Sequence, residues 1–214
     1  MAHETLRAEE LIGLFQSWRD LFAAERDFLI ALDGKVGDSD LGITMAKSFA
    51  AAAETVSAEG AGAGLSKLLR AAGAIMAKTA PSTMGTLTAT GFLRGSKVLE
   101  GKDAIGTAEA AAFWRAYATG IAERGKAKLG DKTILDVLDP VAGVLEAQAA
   151  SGAALGPALK AAADEAAAAL ERTTSMVAQH GKAAAFQQKT VGLQDAGATV
   201  GMMLVRQMSS FVGT

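Results

Sequence analysis

The sequence predicts an all-α fold, a barrel or bundle of about eight antiparallel helices. Half of the 214 residues are apolar, and alanine is very abundant. Apolar side chains recur at helical spacing, whereas the β-branched alternation typical of strands is almost absent. Proline occurs at only three positions, and the loops between apolar segments are short. Short loops favour antiparallel neighbours in a helical bundle or barrel.

The first half of the chain supplies four of these helices. Large apolar residues such as Leu14 and Trp18 mark one face of the first helix. The turn between the second and third helices is rich in glycine, and it is too short to be an interdomain linker. Three helices are expected at about residues 5–32, 43–57 and 65–78. The fourth begins after a loop of small residues at 79–86.

The second half supplies the remaining four. Amphipathic spacing predicts helices that begin near Thr107, near Ile134 and at Pro157, a residue type suited to the first turn of a helix. Pro140 is expected to bend the second of these. An irregular segment over about residues 181–197 precedes the last helix.

Composition and charge restrict the function. A net charge of −2 disfavours nucleic acid and anionic membranes as partners. The absence of cysteine excludes disulfides and thiolate metal sites. The start of the chain lacks the basic and apolar regions of a signal peptide, and no uncharged apolar run reaches transmembrane length. We therefore expect a single cytoplasmic domain over residues 1–214, without a membrane span.

The most informative segment is the turn after the first helix, which contains Asp33, Asp38 and Asp40. Interleaved glycines let the backbone fold tightly there, so the carboxylates are expected to converge. Their repulsion favours a bound cation, and hard oxygen ligands suit Mg²⁺ completed by phosphate and water. Solvated turn residues or helix caps are the weaker interpretation for three such aspartates. An EF-hand fits poorly, because Gly42 and Phe49 stand where its loop needs oxygen ligands.

Two other segments have features of phosphate sites. Residues 120–127 look like a P-loop, but the final Ser or Thr and the preceding strand are missing, so we reject this interpretation. Residues 81–86 are a better cradle, because small residues expose backbone N–H groups and the next helix adds a partial positive charge. An ordinary capped turn is the equal alternative. Lys182 and Lys189 are the candidate cations near phosphate.

The remaining polar candidates have simple explanations. Residues 130–133 could be a Thr-capped helix start, and Asp195 could only cap the last helix. His3 and His180 are too few and too scattered for a histidine metal site or a catalytic triad.

Taken together, these segments resemble the DhaL family, the nucleotide-binding subunit or domain of dihydroxyacetone kinases. The pattern Leu-Asp-x-x-x-Gly-Asp-x-Asp at residues 32–40 matches the family's metal motif. Residues 81–87 lie where the family has a glycine-rich phosphate loop. The later matches, in order, are Phe-Leu-Arg at 92–94, Arg-Gly-Lys-Ala at 124–127, Gly-Asp-Lys-Thr at 130–133 and Asp-Ala-Gly-Ala-Thr at 195–199.

The resemblance implies a barrel of eight antiparallel helices with a nucleotide site at one rim. It implies that Asp33, Asp38 and Asp40 hold Mg²⁺, as two ions that bridge the phosphates of ADP or ATP during phosphoryl transfer. The expected nucleotide-binding residues are Ser82, Thr83, Gly85, Gly130, Thr133, Lys189, Asp195 and Gly197.

Several positions depart from the family pattern. Leu41 stands where family members often have His, and Pro81 and Met84 occupy the phosphate loop. Lys189 stands for a late Arg, which keeps the charge but loses bidentate geometry, and Ala196 stands for a Pro. These changes are compatible with a divergent branch that acts on another small ketose or sugar derivative, such as a tetrulose.

In this family a separate subunit or domain holds the ketose. The resemblance therefore implies a kinase subunit that works with a DhaK-like ketose-binding subunit. Either ATP exchanges freely, or bound ADP is rephosphorylated by a phosphotransferase-system protein. Two other classes stay open: a non-catalytic nucleotide-binding regulatory protein on the same fold, and a kinase for an acyl group or other substrate held by a partner. The oligomeric state also stays open, with a homodimer among the alternatives.

Overall fold

The computed structural model describes residues 5–213. This part of the chain forms nine α-helices and three 3₁₀ segments and contains no β-strand, although an isolated bridge pairs Leu6 with Ile105. The all-α prediction is confirmed. The helices are α1 (Ala8–Ala24), α2 (Arg26–Asp33), α3 (Leu41–Glu59), α4 (Leu65–Thr79), α5 (Thr83–Val98), α6 (Thr107–Gly125), α7 (Leu135–Ala150), α8 (Leu155–Arg172) and α9 (Ala196–Gly213).

Eight of these helices close into a ring. Helix α1 packs on α3, each helix from α3 to α8 packs on the next, and α9 returns to α1. Across this closure the indole Nε1 of Trp18 donates a hydrogen bond to the carbonyl oxygen of Leu204 at 3.1 Å. Helices joined by short connections run antiparallel. The predicted barrel of about eight helices is therefore confirmed, with α2 as an additional short helix beside α3.

The ring encloses an apolar core with aromatic side chains at its centre. The helices around it approach closely because small residues face one another. A Cβ atom at Gly91 or Gly95 of α5 would lie 2.4 Å from the rings of Tyr117 or Phe113 of α6. The ring of Phe92 lies with centroid distances of 5.3–6.2 Å from those of Phe15, Trp18, Phe49, Phe113 and Tyr117.

The prediction of one continuous first helix over residues 5–32 is wrong, because the structure has two helices there. The chain breaks at Glu25, so that α2 turns to pack against α3. Gly42 permits this contact, because a Cβ atom there would lie 2.1 Å from the carbonyl oxygen of Arg26. Tertiary packing overrides a locally continuous helical pattern here. Pro140 lies inside α7, as expected.

The up-and-down order of the ring brings alternate connections to the same rim. These are the loops α2–α3, α4–α5, α6–α7 and the long connection α8–α9. These loops and the helix ends beside them carry all the residues that the sequence predicts as functional. The other rim holds the bridge between Leu6 and Ile105. None of the helices in the described range is long and apolar enough to cross a membrane.

Candidate functional site

Three carboxylates converge at the turn from α2 to α3. Asp33 is the last residue of α2 and Asp40 directly precedes α3, with Asp38 between them. One carboxylate oxygen of each residue lies within 4.8 Å of the others. Asp33 organises the turn, since its Oδ2 accepts hydrogen bonds from the backbone N–H groups of Asp40 at 3.0 Å and of Leu41 at 3.4 Å. Asp33 thus binds the first N–H groups of α3, which lack partners within the helix.

The glycines predicted to shape this turn are required by its geometry. A Cβ atom at Gly37 would lie 2.2 Å from Oδ1 of Asp33, and one at Gly34 would lie 2.6 Å from Oγ of Ser39. Ser39 itself has a left-handed backbone with φ of 62°. The chain therefore folds directly over Asp33, and the second and third carboxylates are brought back toward the first.

The clustered charges are partly balanced from across the cavity. Burial raises the pKa of Asp40, and the negative charges of Asp38 and Asp33 raise it further, whereas Lys182 opposes them. The Nζ of Lys182 forms an ion pair with Oδ2 of Asp38. This hydrogen bond raises the pKa of Lys182. The ammonium group of Lys182 is therefore a positive charge in direct contact with the carboxylate cluster.

A cavity of about 210 Å³ lies between these carboxylates and the other loops of the rim. One wall is the start of α5, where Ser82 caps the helix by accepting a hydrogen bond from Gly85 N–H at 3.1 Å. The N–H groups of Thr83 and Met84 belong to the first turn, so they have no acceptor within the helix. Both residues line the same cavity as the three aspartates. An anion between the two walls would meet N–H donors and the positive end of α5.

The floor of the cavity is built from the α6–α7 loop and the start of α9. Asp136 accepts hydrogen bonds from Gly130 N–H at 2.6 Å and Thr133 N–H at 2.7 Å, which closes the loop into a compact turn. Asp195 accepts a hydrogen bond from Ala198 N–H at 2.7 Å and so caps α9. Burial raises the pKa of Asp195 to about 6, although the Ala198 N–H and the charge of Lys132 lower it.

Most of the predicted site residues meet around this cavity. Those that line it are Asp33, Asp38, Asp40, Thr83, Thr133, Asp195 and Gly197. Ser82, Gly85 and Gly130 do not line the cavity. Their polar groups form hydrogen bonds that shape the neighbouring loops. Lys189 is exposed and lies outside the wall; a kink at Gln187 separates it from Lys182, which does line the cavity. His3 lies outside the described residues.

Sequence reasoning missed several lining residues, and three of them bear on the chemistry of the cavity. Lys132 sits inside a motif that the sequence analysis singled out, but no pattern indicates that its side chain is buried under the cavity. His180 was dismissed as isolated, yet its Nε2 lies 2.8 Å from Oδ2 of Asp131. Ile134 adds an apolar surface to the wall. For these three residues, the one available signal in the sequence was that Lys132 directly precedes Thr133, a predicted site residue.

The donor set fits Mg²⁺ together with phosphate. The three carboxylates supply hard oxygen ligands on one side only, and Mg²⁺ is commonly held by a few carboxylates while phosphate and water complete its octahedron. The start of α5, which lines the same cavity, offers N–H donors to the same phosphate. The arrangement is suited to holding a phosphorylated ligand between a metal and a helix start.

The fold and the site define a helical barrel with a carboxylate cluster on one rim, facing a helix N-terminus. Residues 35–210 match the DAK2 domain family, and the chain belongs to that family.

Curated relatives agree with this assignment. The chain is 28% identical over 205 residues to the ADP-binding subunit DhaL of the PEP-dependent dihydroxyacetone kinase of Escherichia coli, with 96% of this chain and 97% of the relative covered. It is 33% identical over 204 residues to the D-erythrulose kinase of Mycolicibacterium smegmatis, with 92% of this chain but only 34% of the relative covered. The resemblance to the DhaL family is confirmed, and these relatives are kinases or kinase subunits, as predicted.

Solved structures show the same fold. The native dihydroxyacetone kinase of C. freundii superposes with a TM-score of 0.73 at 24% identity, covering 98% of this chain and 35% of that chain. The same kinase in complex with AMP-PNP and Mg²⁺ gives a TM-score of 0.70 at 26% identity, covering 93% of this chain and 33% of that chain. The chain thus corresponds to about a third of that enzyme.

The raised pKa of Asp195 gives a pH-dependent stability. The native state binds the Asp195 proton more tightly than the unfolded state, so the free energy of unfolding falls as pH rises from 3.8 to about 6. We expect Asp195→Asn, which keeps the cap, to match the wild type near pH 4 and to exceed it above pH 6. The gain is bounded by the pKa difference, on the order of 3 kcal/mol.

Urea denaturation followed by circular dichroism across this pH range measures the difference between the two proteins. A difference that is constant with pH would contradict the raised pKa of Asp195.

Proposed function

We propose that this chain is the nucleotide-binding, phosphoryl-transferring subunit of a ketose kinase, acting as a single DhaL-like domain over residues 1–214. The observation that carries the proposal is the convergence of Asp33, Asp38 and Asp40, with carboxylate oxygens within 4.8 Å of one another, on a cavity that the start of α5 also lines. Similarity to an ADP-binding subunit and to a kinase solved with AMP-PNP and Mg²⁺ supports this proposal.

The cavity residues divide the work of holding a nucleotide. Asp33, Asp38 and Asp40 hold two Mg²⁺ ions, which when bound neutralise phosphate charge and fix its orientation. The N–H groups of Thr83 and Met84 donate to phosphate oxygens. Ser82 and Gly85 keep that helix start in place, and Gly130 shapes the turn that presents Thr133. On the base and ribose side the wall is formed by Thr133, Asp195, Gly197 and Ile134.

Of the two candidate cations, Lys182 and Lys189, Lys182 supplies the movable positive charge. Its ammonium group pairs with Asp38 at the edge of the cavity and is largely exposed, so a short rotation of the side chain brings it to a phosphate oxygen. A lysine acts there as a point charge, not as a bidentate clamp. Ligand binding would thus exchange the Lys182–Asp38 pair for a Lys182–phosphate contact.

The reaction is transfer of the terminal phosphoryl group to a ketose hydroxyl. The bond from phosphorus to the bridging oxygen of ATP breaks and leaves ADP, while a bond from phosphorus to the hydroxyl oxygen forms and the hydroxyl proton is released. Such a transfer needs positioning and charge neutralisation more than covalent protein chemistry. The described residues supply both.

The ketose is held by a DhaK-like partner subunit. Among the described residues, the single histidine, His180, is paired with Asp131 and lies in the nucleotide cavity. No histidine is thus left in this range to capture a carbonyl at the mouth of the site. The erythrulose kinases that resemble this chain are about three times its length, so their additional regions have room for a substrate domain. Dihydroxyacetone or a tetrulose such as erythrulose is the expected substrate.

The phosphoryl donor has two versions. This chain is similar to subunits of PEP-dependent kinases over most of their length. That similarity supports the version in which bound ADP is rephosphorylated by a phosphotransferase-system protein. Similarity to a kinase solved with AMP-PNP supports free exchange of ATP. We propose the first version, because three relatives that this chain covers over 86% or more of their own length are all subunits of PEP-dependent kinases.

Removing one metal ligand should weaken nucleotide binding without unfolding the protein. We expect Asp38→Asn and Asp40→Asn each to lower the affinity for Mg²⁺-ADP by about tenfold or more, as is typical when a metal site loses a supporting group. Calorimetric titration measures the affinity. Asp27→Asn is the matched control, because Asp27 lies on α2 but is exposed and pairs only with Arg26 in the described range. Unchanged affinity in both site variants would mean that the aspartates only shape the turn.

Turnover should require the partner. The chain alone is expected to phosphorylate dihydroxyacetone or erythrulose negligibly, and addition of the cognate DhaK-like subunit should bring the rate to roughly 1–100 s⁻¹. A coupled assay with ATP, and then with phosphoenolpyruvate and the phosphotransferase proteins, separates the two donors. Efficient turnover of a free ketose by this chain alone would refute the split enzyme. Tight nucleotide binding without turnover under any of these conditions would favour a regulatory protein.

A further inference from the structure

Two adjacent residues of the α6–α7 loop hold the connection that carries Lys182. We call residues 176–193 the late segment; it lies between α8 and α9 and contains a 3₁₀ stretch, Lys182–Thr190. Asp131 and Lys132 are the loop residues. Both are buried, with exposed fractions of 6% and 4%. Buried charges of this kind need a structural or functional reason.

The ammonium group of Lys132 is used completely by the late segment. Its Nζ donates to the carbonyl oxygens of Met176 at 3.2 Å, Thr190 at 2.5 Å and Leu193 at 2.7 Å. An ammonium group has three donors, and all three have acceptors here. Although Lys132 lines the cavity, its charge is thus directed away from a ligand and toward backbone carbonyl oxygens. The backbone of Lys132 is left-handed, with φ of 60°.

Asp131 holds the same segment close to Lys182. The backbone carbonyl oxygen of Asp131 accepts a hydrogen bond from Gln179 N–H at 3.0 Å. Its Oδ2 lies 2.8 Å from Nε2 of His180. The chain then turns at Gly181, where φ is 64°, and Lys182 follows at once. The two loop residues together fix the late segment at residues 176–180 and again at 190–193.

Little else fixes the stretch between these two anchors. Lys182 projects from it across the cavity to Asp38, and most residues from 185 to 189 are exposed. Thr190 adds an internal tie, accepting from Ala178 N–H at 3.0 Å and donating to the Gln187 carbonyl oxygen at 2.6 Å. This tie joins parts of the late segment to one another, whereas Lys132 joins the segment to the barrel. The direction of Lys182 therefore depends on the anchors that Asp131 and Lys132 provide, and of these two Lys132 alone holds both ends of the late segment.

We propose that Lys132 is a positioning residue for nucleotide binding: it fixes the late segment so that Lys182 faces the aspartate cluster and the phosphates. The half of this proposal that concerns phosphates rests on the proposed function. The half that concerns the late segment does not, because the hydrogen bonds are made by the protein alone. Lys132 itself does not contact the ligand, in contrast to Lys182.

Hydrogen exchange of the free protein tests the structural half. Lys132→Met keeps the length of the side chain and tolerates the same backbone, but removes all three donors. We expect amide exchange at residues 176–193 to rise at least roughly tenfold, while the helices of the barrel are unchanged. Lys128→Met is the control, because Lys128 lies in the same loop with an exposed side chain. Unchanged exchange in the late segment of Lys132→Met would overturn the proposal whatever the ligand is.

Calorimetry with Mg²⁺-ADP tests the functional half by a double-mutant cycle. Lys132→Met and Lys182→Met should each lower affinity by roughly tenfold, and the double variant should lose little more, because both remove the same phosphate contact. Additive losses would mean that Lys132 contacts the ligand directly, which overturns the proposal. If the wild type does not bind Mg²⁺-ADP, the proposed function fails while the exchange experiment still decides the role of Lys132.

A milder variant covers the case in which Lys132→Met does not fold. Lys132→Gln retains an amide that can donate to two of the three carbonyl oxygens. It should fold, as circular dichroism can establish, with exchange in the late segment intermediate between the wild type and a fully released segment. Wild-type exchange together with weakened nucleotide affinity in this variant would contradict positioning, because affinity would then be lost without release of the segment.

Discussion

The site depends on the cost of holding three carboxylates together. Asp33, Asp38 and Asp40 repel one another, which raises the pKa of Asp40 beyond the effect of its burial. Three features offset this repulsion in the protein alone: the N–H groups at the start of α3, the positive end of that helix, and the ammonium group of Lys182. Each is a substitute for a cation. The protein therefore holds the three carboxylates close together against their repulsion, and Mg²⁺ with phosphate, as proposed, would relieve it.

The barrel tolerates this repulsion because its stability comes from a core that is separate from the site. Large aromatic residues fill the ring of helices around Phe92, and glycine and alanine let the helices approach closely. The rim loops carry most of the charged residues of the site, although some loop residues, such as Ile134, also join the core. Because the helices alternate in direction, the four loops that bear the carboxylates, the phosphate-facing helix start, the α6–α7 turn and the late segment meet at one rim.

Much of this could be predicted from the sequence, because it follows from local patterns. Helical spacing sufficed for the barrel, and aspartates interleaved with glycines sufficed for the carboxylate cluster. The break at Glu25 was missed because it results from the close approach of Gly42 to Arg26, a tertiary contact. Lys182 and Lys189 were both candidate cations, and the family resemblance favoured Lys189 because it stands for an arginine. The sequence does not show that Lys182 lines the cavity whereas Lys189, beyond the kink at Gln187, does not. The role of Lys132 was invisible, since its partners are backbone carbonyl oxygens that any sequence would supply.

The most direct test of this account is a crystal structure with ADP and Mn²⁺ in place of Mg²⁺, since the anomalous signal of manganese locates the metal. The account predicts manganese bound by Asp33, Asp38 and Asp40 and by phosphate oxygens, with the phosphates at the start of α5. It also predicts that Lys182 leaves Asp38 for a phosphate oxygen while Lys132 keeps its three carbonyl partners. Nucleotide bound away from the carboxylates, or metal held by phosphate alone with the Lys182–Asp38 pair intact, would contradict it.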